Sequence, residues 1–191
     1  DVERWTPCLI PLVKSGRVKR VGVSNHDLAQ IKRVEEILAE GNVPLSAVQN
    51  HFSLLCRVSE KEGILDYCRS RGIDFFAYMV LEQGALSGKY DDEHPIKGLS
   101  LRSLEYNRNV MKKFRPLIDC LRELGVKYSV SPAQISVAWA RSKGTIPIVG
   151  ITKPEQAAEL AGSASVALTD EEAARLEGLA DASGIVSRGV W

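Results

Sequence analysis

Ile73-Asp74-Phe75-Phe76-Ala77-Tyr78 is a short aromatic and apolar run immediately after Gly72. Aromatic side chains pack well on a pleated, half-buried surface, so the run predicts a β-strand. Just upstream, Ser59 and Glu62 have capping-box spacing, and Ile64, Leu65, Tyr67 and Cys68 follow before Gly72, which predicts a helix ending at that glycine. Further back, Val18-Lys19-Arg20-Val21-Gly22-Val23-Ser24 and Ala47-Val48-Gln49-Asn50 predict two more strands. Between them Asp27 caps a helix carrying Leu28, Ile31, Val34, Ile37 and Leu38 on one face, with Gly41 as its stop. Downstream, residues 91–107 are polar and contain Gly, Pro and Ser, which predicts a long loop. A helix over 109–124 follows. Ser131-Pro132 then opens another through Ile135, Val137, Ala138 and Trp139 to Gly144. Thr145-Ile146-Pro147-Ile148-Val149-Gly150 predicts a fourth strand, Thr152-Lys153-Pro154 starts a helix, and Thr169 with Glu172 caps the last one.

Strands alternating with helices predict a parallel α/β sheet. Its nearly all-apolar strands predict cover on both faces. The chain of 191 residues is long enough for one sizeable core, so a single domain is expected over 1–191. With 25 Lys+Arg against 24 Asp+Glu, its charge implies no nucleic-acid partner. The apolar runs are too short to span a bilayer, so no membrane partner is expected. Asp1-Val2-Glu3-Arg4 does not read as a secretory leader. The absence of an initiator Met is read as the mark of a chain that is not a whole translation product. The cysteines at 8, 56, 68 and 120 form no CxxC pair, which points to reduced thiols, a cytoplasmic protein and no metal site.

Ligands of parallel sheets bind beyond the C-terminal strand ends. Those ends carry Ser24 and Asn25, then Gln49, then Tyr78 followed by Leu81-Glu82-Gln83-Gly84-Ala85-Leu86, and finally Gly150-Ile151-Thr152-Lys153-Pro154-Glu155-Gln156. Amide and hydroxyl groups beside an aromatic ring can read a carboxamide and stack a flat heterocycle. A helix N-terminus with Thr and Lys suits a phosphate. Each residue also has a plainer reading. Ser24 or Asn25 can cap a helix, Gln49 and Asn50 can satisfy loop backbone, Tyr78 can be core, and Thr152 is a good cap.

Together, Gly22-Val23-Ser24-Asn25, Val48-Gln49-Asn50, residues 76–90 and residues 148–156 resemble the second half of an aldo-keto reductase, as does Val13-Lys14-Ser15-Gly16-Arg17-Val18-Lys19. The resemblance runs from about Thr6 to Leu179. It implies the C-terminal part of a (β/α)8 TIM barrel, strands five to eight with their helices. It also implies an NAD(P)H-dependent oxidoreductase that reduces aldehydes or ketones to alcohols. Carried over by position, Ser24, Asn25 and Gln49 resemble the nicotinamide-carboxamide ligands, and Tyr78 resembles the ring that stacks on the nicotinamide. Leu81, Gln83, Gly84 and Leu86 resemble the pyrophosphate loop. Gly150, Ile151, Thr152 and Lys153 resemble the adenosine ribose-phosphate segment, with Gln156 and Glu159 near that phosphate and the adenine.

Several positions depart from the family pattern. Gln156 stands where Arg is common, Leu160 where Asn is common, Ile151 where Ser or Thr is usual, and His26 where an aromatic is common. His26 reads either as a group near the cofactor or as a turn histidine. Lys153 still favours NADP(H), with NAD(H) as the alternative. The family's catalytic Asp, Tyr, Lys and His belong to the first half of the barrel, so no catalytic residue is assigned. The resemblance implies a small carbonyl compound as substrate without saying which; residues 91–107 and the tail from Gly184 to Trp191 resemble pocket-lining segments, and the apolar Val190 and Trp191 suit a pocket wall or plain docking. A half-barrel has open sheet edges, so self-association through them is expected. The competing readings are a non-catalytic nucleotide-binding regulatory or interaction module, and an inactive fragment.

Overall fold

The computed structural model describes residues 1–187. Four strands, β1 (Val21–Ser24), β2 (Leu45–His51), β3 (Asp74–Tyr78) and β4 (Ile146–Pro147), pair in sequence order. Every pairing is parallel. Helices α1 (Val2–Trp5) and α2 (Leu9–Lys14) precede the sheet. Helix α3 (Leu28–Glu40) joins β1 to β2, and α4 (Val58–Lys61) with α5 (Ile64–Arg71) joins β2 to β3. The long third crossover holds α6 (Leu101–Glu105), α7 (Arg108–Lys113), α8 (Arg115–Tyr128) and α9 (Pro132–Ser142). After β4 come α10 (Pro154–Ala161) and α11 (Asp170–Ala182). Among the described residues no helix is long and apolar enough to cross a membrane.

Local chemistry sets most boundaries. Asp27 accepts from the Gln30 N–H at 2.8 Å and the Gln30 side chain accepts from the Asp27 N–H at 3.0 Å, closing the capping box of α3. Ser131 with Gln134, and Thr169 with Glu172, do the same for α9 and α11. The expected Ser59–Glu62 box does not form. Arg57 occupies the N-cap of α4, and Gly63, at φ +77, separates α4 from α5. Ser59 is instead buried inside α4, within 3.4 Å of the Asn50 amide. The single helix expected over 109–124 is broken at Phe114 (φ −106), where Pro116 enters the first turn of α8. The expected loop over 91–107 contains α6, and the fourth strand shrinks to two residues.

Register separates the two faces of the sheet. Val23, Val48 and Phe75 lie side by side and are buried beneath the helices. Ser24, Gln49, Phe76 and Ile146 form the parallel row on the opposite face. Cover on both faces was expected, but Gly22, Ser24 and Ile146 are exposed and Gln49 and Phe76 only half-buried. The helix side is wholly apolar, whereas the open face mixes Gly22, Ser24 and Gln49 with the apolar Phe76 and Ile146. β1 and β4 are the sheet's two edges.

The core centres on Trp139 of α9, fully buried and stacked on Phe52 at 5.2 Å between centroids. Its indole N–H donates to Glu177 at 2.9 Å. Glu177 also meets Lys143 at 2.7 Å and Arg57 at 3.0 Å, so one carboxylate ties α4, α9 and α11 together. Trp139→Ala should destabilise the chain by about 3–5 kcal/mol, measured as a lower urea midpoint, whereas Trp139→Phe, which keeps an aromatic ring against Phe52 but loses the Glu177 bond and part of the indole volume, should cost about 1–3 kcal/mol.

Candidate functional site

The C-terminal strand ends converge on one rim. Asn25, just past β1, adopts φ +60, a conformation Asn tolerates better than most residues. Its N–H donates to the Gln49 carbonyl at 3.0 Å, and its Oδ1 accepts from the Tyr78 hydroxyl at 2.5 Å. Neither Ser24 nor Asn25 caps α3, because Asp27 does. Ser24 and Gln49 are register partners on the open face. Tyr78 is half-buried at the rim, its ring stacked with that of His51 at 5.5 Å and 24°. Asn50 follows its plainer reading and closes a loop: Oδ1 accepts from the His26 N–H at 3.2 Å and Nδ2 donates to the His26 carbonyl at 2.8 Å. His26 sits half-buried in the connection from β1 to α3, with Nδ1 2.8 Å from the Ser24 carbonyl and its ring edge-on to Trp5.

Beyond Tyr78 the chain turns tightly through Met79, Glu82, Gln83 and Gly84, all at positive φ. Three of these are not glycine, and each such conformation costs on the order of 1 kcal/mol, a pattern that collects at functional loops. The turn forms one wall of a cleft of about 690 Å³ through Leu81, Gln83 and Gly84. Gly150, Ile151, Thr152, Gln156 and Glu159 form the facing wall. Leu86 is completely buried in the core and lines no part of the cleft. Lys153 is exposed at the N-cap of α10, outside the lining. Gln156 folds back: its Oε1 accepts from the N–H groups of Thr152 at 2.8 Å and Lys153 at 3.1 Å, closing the first turn of α10. Val190 and Trp191 lie outside the described residues.

Lys89, Tyr90 and Arg102 also line the cleft, and sequence reasoning gave them no role. Arg102 rides over the Tyr90 ring, its guanidinium carbon 4.9 Å from the centroid, and its Nε is buried without a hydrogen-bond partner among the described residues. Lys89 Nζ stands 5.6 Å from the same centroid. The cleft thus offers two cations at Lys89 and Arg102 against one carboxylate at Glu159, hydroxyls at Ser87, Tyr90 and Thr152, and two glycines. That set fits a dinucleotide phosphate chain, which needs positive charge and close backbone approach. Cleft size falls within the range of small-molecule sites, about 300–1,000 Å³.

Under the rim lies a fully buried carboxylate, Glu82. It accepts from His51 Nε2 at 2.6 Å, the Tyr106 hydroxyl at 2.5 Å, Ser187 Oγ at 2.8 Å and the Ser53 hydroxyl. Burial by itself would lower the His51 pKa. Its hydrogen bonds to Cys56 and Glu82, and the charge of Glu82, outweigh that and raise it to about 10. His51 is therefore an imidazolium at neutral pH. Burial and the Glu82 charge push the Tyr106 hydroxyl far above its ordinary range, keeping it a donor.

The sequence pattern of the Aldo/keto reductase family matches residues 2–181. The chain belongs to that family. It is 33% identical over 169 residues to a chloroplastic pyridoxal reductase of Arabidopsis thaliana, covering 88% of this chain and 46% of that protein. It is 28% identical over 187 residues to an aldo-keto reductase of Gibberella moniliformis, covering 94% and 55%. The glycerol dehydrogenase of Gluconobacter oxydans superposes with a TM-score of 0.82 at 24% identity, over 100% of this chain and 58% of the other. A thermostable aldo-keto reductase solved with the inhibitor epalrestat gives 0.70 at 22%, over 94% and 55%. The chain therefore has the α/β aldo-keto reductase fold with a parallel sheet, and spans about half the length of the relatives it matches.

The His51–Glu82 pair makes stability depend on pH. The folded imidazolium has a pKa raised above the unfolded value near 6.5, so its contribution is complete below about 6.5 and is lost as pH rises through about 10. Glu82→Gln, which leaves a buried imidazolium without its carboxylate, should lower unfolding free energy by roughly 3 kcal/mol at pH 6. The loss should shrink by pH 10, as chemical denaturation at both values will show.

Proposed function

We propose that this chain is the cofactor-binding part of an NADP(H)-dependent oxidoreductase that reduces a small aldehyde or ketone to an alcohol. In this reading β1 to β4 are strands five to eight of a (β/α)8 barrel, and the chain is one domain. The observation that carries it is the continuity of rim and cleft: one turn, residues 79–84, leads from the Tyr78 ring directly into a cleft that also holds Lys89, Arg102 and Thr152. When bound, a nicotinamide supplies the hydride for carbonyl reduction. Ser24 and Gln49, adjacent on the open face, present hydroxyl and amide groups to the carboxamide. Asn25 holds the Tyr78 hydroxyl, and Tyr78 provides the flat surface. Lys89 and Arg102 neutralise phosphate charge, and Lys153 at the start of α10 adds a further cation for the 2′-phosphate, while the Thr152 hydroxyl, which donates to Gln156 Oε1 at 3.2 Å, would have to turn from that partner to reach a phosphate. No residue of the chain is assigned the proton transfer to substrate. The relatives being about twice as long supports placing that chemistry in a first half of the barrel.

The protein is proposed to act in the cytoplasm on a small-molecule substrate, with self-association through the β1 and β4 edges when the chain stands alone. Sedimentation at micromolar concentration should show dimers or larger species; a sharply melting monomer is the contrary result. Fluorescence titration tests the cofactor reading. Arg102→Ala should weaken NADPH about tenfold. Lys153→Ala should weaken NADPH more than NADH, because only the former carries the extra phosphate. Equal losses for both nucleotides would remove Lys153 from the phosphate site, and absence of any NADPH binding at high micromolar concentration would remove the function.

A further inference from the structure

The cofactor reading uses Tyr78 and the cleft but leaves the buried carboxylate beneath them without a task. A carboxylate taken fully out of water is costly unless every oxygen is committed, and Glu82 commits both to donors from widely separated segments. Ser53 follows β2, Tyr106 follows α6, and Ser187 lies beyond α11. His51 is the member that faces the site. It is the register partner of Tyr78 across the β2–β3 ladder, so the two rings are brought together by backbone pairing. The rings lie 5.5 Å apart and 24° from parallel. His51 Nε2 is fixed by Glu82 at 2.6 Å, while the Cys56 thiol donates to the His51 carbonyl at 3.8 Å. A ring held at one nitrogen by a buried, fully bonded carboxylate has one orientation. Tyr78 is in turn constrained by His51 along its ring and by Asn25 at its hydroxyl.

We propose that His51, clamped by Glu82, is a positioning residue for the cofactor, setting the plane of the Tyr78 ring on which the nicotinamide stacks. This rests on the cofactor reading above and adds to it a support behind the stacking ring. Glu82 also belongs to the left-handed turn whose neighbours Leu81 and Gln83 line the cleft. One carboxylate therefore fixes both the stacking platform and the adjoining wall in a common frame.

The test separates the nicotinamide end of the ligand from its phosphate end. NADPH and 2′,5′-ADP, which lacks the nicotinamide, are titrated against the full chain and its His51→Ala and Glu82→Gln variants. A third variant, H51A/E82Q, leaves no buried charge without a partner and guards against loss of folding. The expected result is a loss of roughly three- to tenfold for NADPH, the scale of an aromatic stacking contact, with 2′,5′-ADP unchanged. Parallel losses for both ligands would show a structural role only and overturn the proposal. NADPH affinity unchanged in all three variants would overturn it as well. Wild-type chain that binds neither ligand would instead overturn the cofactor reading, and this proposal with it.

Discussion

Parallel pairing of β1, β2 and β3 is the constraint from which the rest follows. A one-residue slip would exchange the two faces, because side chains alternate along a strand. In the observed register Val23, Val48 and Phe75 go to the helices, and Ser24, Gln49 and Phe76 to the open face. The same ladder sets His51 against Tyr78. Hydrophobic burial therefore selects the register, and the register assembles the polar site. No separate force is needed to bring Ser24 and Gln49 side by side.

Above the sheet, charge is used in two ways. On the helix side, Glu177 gathers Trp139, Lys143 and Arg57, so ionic and aromatic packing meet at one point of the core. Near the strand ends, Glu82 gathers hydroxyls and one imidazolium, while the cleft beside it keeps Lys89 and Arg102. Asp91, nearly buried, holds Arg122 at 2.8 Å and thereby fastens the start of the long third crossover to α8. Those anchors give a strained turn the rigid surroundings that its positive φ values require.

Much of this was legible in residue order. Helix starts at Asp27, Ser131 and Thr169 were readable because capping is local chemistry, written within four residues. Strand positions were readable from apolar runs, and the rim residues Ser24, Asn25, Gln49 and Tyr78 followed from strand ends. What escaped depends on distance in sequence. Arg102 lies in residues 91–107, a loop that resembles a pocket-lining segment, but nothing in the order of residues singles it out, and its contact with Tyr90 has no periodic signature. Glu82 carries no role in the sequence reading, because its partners His51, Tyr106 and Ser187 are 24 to 105 residues away. Ser59 illustrates the opposite error: a correct local spacing lost to Arg57, whose pairing with Glu177 and Asp181 fixes the helix start from outside.

The two borders of the sheet are chemically unequal. β1 offers four residues of outer backbone, whereas β4 is two residues long and one of them is Pro147, which has no N–H. Copies adding head to tail would have to join a full ladder to this blunted one. Such joining, if it repeated without closing, would produce fibres. Pro147 therefore makes the two borders unequal templates: a further strand would find the regular backbone donors of β1 on one side and, on the other, a short edge lacking one of them.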